Sequence, residues 1–183
     1  MSPLPDHQQP DPAARQALRL AAADLDAAEQ QGQAHAISAA LAQMARCLAA
    51  MHALAPAETY LESALRWARA AGSTDQTVDL LCALCELTER LAHGQDVRAA
   101  GLGHAARERA RDHAFEASTL AGRVADPDWE IKVLLRVSDV LDRCGDRDDA
   151  VQLQTRALRL MAHDATSHLD PRVLPGLGRL ADH

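Results

Sequence analysis

Apolar residues along this chain recur three and four positions apart rather than two, which is the period of helices with one buried face. The pattern predicts helices near residues 12–31, 33–51, 56–71, 75–92, 96–122, 127–143 and 147–162, and no stretch alternates as a strand would. Start signals agree with these spans. Asp11-Pro12, Asp126-Pro127 and Asp170-Pro171 each offer a capping carboxylate followed by a proline suited to a first turn. Ser73 with Gln76 forms a capping-box pattern, and Pro56 can open another helix. Gly32, Gly72, Gly94 and Gly145 are the expected stops. Residues 1–10 hold three prolines and no periodicity, so they read as a flexible tail before a helical domain over residues 11–163. Residues 164–183 carry two prolines and two glycines, consistent with a loose extension or a short capping helix. Short connections make successive helices antiparallel neighbours.

The helices repeat one another in pairs. The first pair reads Leu41-x2-Met44-Ala45-x2-Leu48, then Ala57, Leu61 and Ala64-Leu65; the last reads Leu134-x2-Val137-Ser138-x2-Leu141, then Ala150 and Ala157-Leu158. A middle pair reads Leu81-x2-Leu84-Cys85-x2-Thr88, then Ala99 and Ala106, with a longer turn. Ala150 and Ala157 lie two helical turns apart, so both face the same neighbour.

This arrangement of small residues on both helices of a hairpin resembles the tetratricopeptide repeat family over roughly residues 33–162. Leu41, Leu81, Leu134, Leu48, Thr88 and Leu141 stand where that family usually carries bulkier aromatics, and the repeats are spaced more widely than its ~34 residues. The resemblance implies an all-α fold of about seven helices, stacked as antiparallel hairpins in a right-handed superhelix, with the helix over 12–31 as a cap. A helical bundle without repeats is the other arrangement these helices allow.

The resemblance also implies a concave surface lined by the first helix of each hairpin, which takes a peptide segment. Carried over position by position, that surface presents Ala42, Arg46 and Ala49, then Asp79, Cys82, Glu86 and Glu89, then Lys132, Leu135, Asp139 and Asp142. Such a groove is acidic at its middle and far end and would take a basic or amine-presenting segment of a protein partner. The plainer reading of these carboxylates is a solvated helix face.

Composition narrows the function classes. Net charge is -7, aromatic residues are 2%, and Lys132 is the single lysine among 19 Lys and Arg, so neither a basic run nor a stacking surface invites nucleic acid. The chain opens with no signal-peptide pattern and holds no apolar run of the ~20 residues needed to span a bilayer, so the expectation is a cytoplasmic protein with reduced cysteines. Its arginine and alanine bias resembles a GC-rich bacterial coding sequence.

The candidate chemistry is sparse. Cys82-x2-Cys85 has the spacing of a metal or redox pair, yet it sits in the apolar run LLCALCEL without a second Cys-x-x-Cys, which favours buried small hydrophobes. GLGHAA, from Gly101 to Ala106, fits a dinucleotide fingerprint in letters, but no strand precedes it. The histidines lack H-E-x-x-H and Glu-x-x-His spacings, and Glu89 with His93 reads as a surface pair. No metal or cofactor is expected. The chain therefore reads as a non-catalytic protein- or peptide-binding scaffold, an adaptor, regulator or chaperone-like module. Self-association is an option for its apolar ends. The alternative is a small-molecule or metal sensor built around Cys82.

Overall fold

A computed structural model describes the backbone of residues 12–96 and 102–167, with side chains over 12–94 and 103–163. Seven helices occupy the described residues: α1 (Pro12–Gln31), α2 (Ala34–Ala50), α3 (Leu54–Ala70), α4 (Thr74–Asp96), α5 (Leu102–Ala121), α6 (Pro127–Cys144) and α7 (Arg147–Ser167). No strand occurs among them, so the fold is all-α as expected. The proposed tail over 1–10 and most of the extension over 164–183 lie outside the described residues, as do the Asp11 and Asp170 caps.

Turn chemistry explains most boundaries. Gly32, Gly72 and Gly145 adopt φ of 65°, 69° and 92°, a left-handed conformation that a residue without Cβ reaches at least cost. At α6, the Asp126 carboxylate accepts the Trp129 backbone N–H at 3.0 Å, as its sequence position predicts. Two signals mislead. Gly94 lies inside α4, which runs on to Asp96, because an isolated glycine weakens a helix without ending it. Gln76 forms no capping box; its Nε2 instead donates to the His35 carbonyl at 3.2 Å, tying α4 to the start of α2. The turn after α2 contains no glycine, and His52 takes its left-handed position at φ 59°.

Each helix packs against its neighbour in sequence, and α4 also meets α6. Joined by turns of a few residues, consecutive helices such as α2 and α3 or α6 and α7 form antiparallel hairpins. Alanine makes them close: Ala57, Ala64 and Ala68 on α3, Ala106, Ala110, Ala114, Ala117 and Ala121 on α5, and Ala157 on α7 are fully buried. The predicted small residues Ala45, Cys85 and Ser138 on α2, α4 and α6 are buried too. Burying alanine orders no side-chain rotamers, so close approach costs little entropy. Leu81 and Leu84 on α4 with Leu134 and Leu141 on α6 supply the large fully buried side chains. One cross-helix hydrogen bond fixes the first hairpin, from the Ser38 hydroxyl to the Ala64 carbonyl at 2.8 Å.

Candidate functional site

An open groove of about 770 Å³ runs between α2 and α4 and reaches α6 at Arg136. Its α2 wall is mainly alanine, from Ala39 to Ala50, interrupted by Arg46; its α4 wall carries Asp79, Ala83, Glu86 and Arg90. Leu80, Leu87 and His52 line it as well.

Of the residues expected on this surface, the structure brings together Ala42, Arg46, Ala49, Asp79 and Glu86. The groove-facing line of α4 is 79, 83, 86, 90, a three-and-four spacing that keeps to one face. Cys82 and Glu89 belong to the adjoining face. Cys82 is a correction: it is only 1% exposed, inside the core, because Ala83 takes the groove-facing position. Glu89 is a second, at 6% exposure, held between Arg143 of α6 at 3.5 Å and His93 at 3.0 Å.

On α6 the expected register is displaced too. Lys132, Asp139 and Asp142 are exposed but line no part of the groove, whereas Arg136 does. Arg143 also pairs with Asp139, one turn away on the same helix. Asp142 lies 3.6 Å from Arg147 across the Gly145 turn.

The groove's charge departs from the expectation of an acidic surface. Arg136 meets Glu86 in a fork, Nε to Oε1 at 2.5 Å and Nη2 to Oε2 at 3.0 Å. That hydrogen bonding, with the nearby negative charge of Asp79, holds the guanidinium still more firmly protonated. Arg46 and Arg90 are paired with no carboxylate among the described residues. Arg46 Nε donates to Gln43 Oε1 at 2.9 Å, and Arg90 Nη2 to the Ala49 carbonyl at 3.4 Å. The lining thus holds three guanidiniums against two carboxylates, one of them already engaged. Sequence reading missed Arg90, Arg136 and His52. The first was accessible through the 79-83-86-90 spacing.

The thiols are poorly placed for chemistry. Burial, above all, pushes the Cys82 thiol from its ordinary 9.0 up to about 12, and raises Cys85 further. Cys144 is raised to about 11, by burial and then by the Glu89 charge. Among the described residues no three His, Cys, Asp or Glu side chains gather as a metal site. None of the described helices is long and apolar enough to cross a membrane.

No protein-family model matches the chain, and no curated protein matches it. Among solved structures it is similar to one titled "DHF58 filament", at 22% identity over 82% of this chain and 80% of that one, with a TM-score of 0.49.

Proposed function

We propose that this protein is a non-catalytic scaffold whose α2–α4–α6 groove docks a segment of a partner protein. In this reading the hairpins stack as a right-handed superhelix of the tetratricopeptide kind, and the protein works in the cytoplasm as an adaptor or chaperone-like module. The observation that carries the reading is the groove itself, walled by alanine and rimmed by charged side chains of separate helices. A surface built on helices packed through alanine seams is already ordered, so docking demands little further loss of entropy. Raised thiol pKa values speak against a reactive centre at Cys82 and so against the sensor reading.

Selection of a random peptide library displayed on phage tests the reading, with Ala39→Trp as the comparison protein. Ala39 lines the groove from an exposed position, so tryptophan there fills the groove without entering the core. Binders of the native chain that lose affinity for Ala39→Trp support the groove. Binders indifferent to that change, or none at all, contradict it.

A further inference from the structure

We infer, resting on the groove reading above, that the docked segment is acidic and that Arg46, Arg90 and His52 receive its carboxylates. The guanidiniums of the groove are not equally engaged. Glu86 is held by Arg136, and Asp79, in the first half of α4, lies in the field of the same guanidinium. Towards the C-terminal ends of the two helices stand Arg46, Arg90 and His52; Glu86, one turn before Arg90, is already held by Arg136, and Asp79 lies about three turns before Arg90. A guanidinium that already meets a carboxylate offers an incoming anion little, whereas Arg46 and Arg90, among the described residues, hold only neutral acceptors. Their open N–H groups match a carboxylate in shape and charge.

His52 supplies an independent observation. It is the one non-glycine residue at positive φ among the described residues, in a turn position that Gly32, Gly72 and Gly145 fill elsewhere. Histidine tolerates this conformation less well than glycine, so the chain forgoes stability there and gains a side chain in the groove lining. An exposed imidazole N–H can donate to a carboxylate whether or not the ring is charged.

The same phage selection decides the matter. Expected are groove-dependent binders enriched in Asp and Glu, tenfold or more weakened by Arg46→Glu and by Arg90→Glu, and weakened by rising salt. His52→Gly should lower their affinity while raising the melting temperature by about 2–4 °C. A binder set lost on Ala39→Trp but neutral or basic in composition would overturn the acidic-segment inference and leave the groove standing. No groove-dependent binder would overturn both. His52→Gly that binds unchanged would remove His52 from the site.

Discussion

Arg136 of α6 grips Glu86 of α4 through two of its guanidinium nitrogens, and that pair takes up one of the groove's two carboxylates while three guanidiniums leave the lining net cationic. The two side chains are about two-fifths exposed, so the pair stabilises the fold weakly. Glu86→Gln should change unfolding free energy by less than about 1 kcal/mol, read from urea titration. Its effect on charge is larger: the freed Arg136 joins Arg46 and Arg90, so an acidic groove-binding peptide should bind Glu86→Gln more tightly and lose more affinity with salt. Weaker binding to this variant would contradict the charge map.

Gly122 stands against a different ion pair. Arg156 Nη2 stands 2.5 Å from Glu130 Oε1, and a Cβ added at Gly122 would lie 2.0 Å from that nitrogen. The Glu130 side chain is 9% exposed, so displacing Arg156 leaves a buried carboxylate unpaired. Gly122→Ala should therefore cost about 1–3 kcal/mol, and little once Arg156→Ala has already removed the obstacle. Additive effects in that double-mutant cycle would show that the close approach is immaterial.

The alanine seams set the helix spacing. Ala64→Leu places a bulky side chain at a fully buried position and forces α3 from α2, stretching the Ser38 bond to its carbonyl. The expected loss is about 1–3 kcal/mol by thermal or urea unfolding. Ala70→Leu, at an exposed position on the same helix, should change stability by less than about 0.5 kcal/mol.

Raised thiol pKa values predict alkaline sensitivity. Cys82, raised to about 12, and Cys144, raised to about 11, stay protonated in the fold where the unfolded chain ionises near 9.0. Above that pH the unfolded state binds fewer protons, so stability falls as pH rises from about 9 towards 11–12. The decline approaches about 1.4 kcal/mol per pH unit for each thiol. Urea midpoints at pH 8.5 and 10.5 should diverge in the native chain and much less in a Cys82→Ala/Cys85→Ala/Cys144→Ala variant. Equal divergence in both would remove the thiols as the cause.

The helices were legible in the sequence because their signals are local: three-and-four periodicity, the Asp126-Pro127 start, and glycine at 32, 72 and 145. The turn at His52 was not, since histidine carries no turn signal and its conformation is imposed by the helices on either side. Within the site, Arg46, Asp79 and Glu86 are readable from helical spacing, but the same spacing points Cys82 and Glu89 to the groove although they lie on the adjoining face of α4. Charge was the least legible property. Glu86 finds Arg136, and Glu89 finds Arg143, across a helix interface that periodicity within one helix cannot describe.

The most direct measurement places a photo-reactive benzoylphenylalanine at Ala39, inside the groove, and at Arg66, exposed on α3 outside it, in the cell that makes the protein. Irradiation should join one discrete polypeptide to the chain carrying the probe at Ala39 and leave the Arg66 chain unmodified. Equal adducts at both positions, or none at Ala39, would contradict a docking role for the groove.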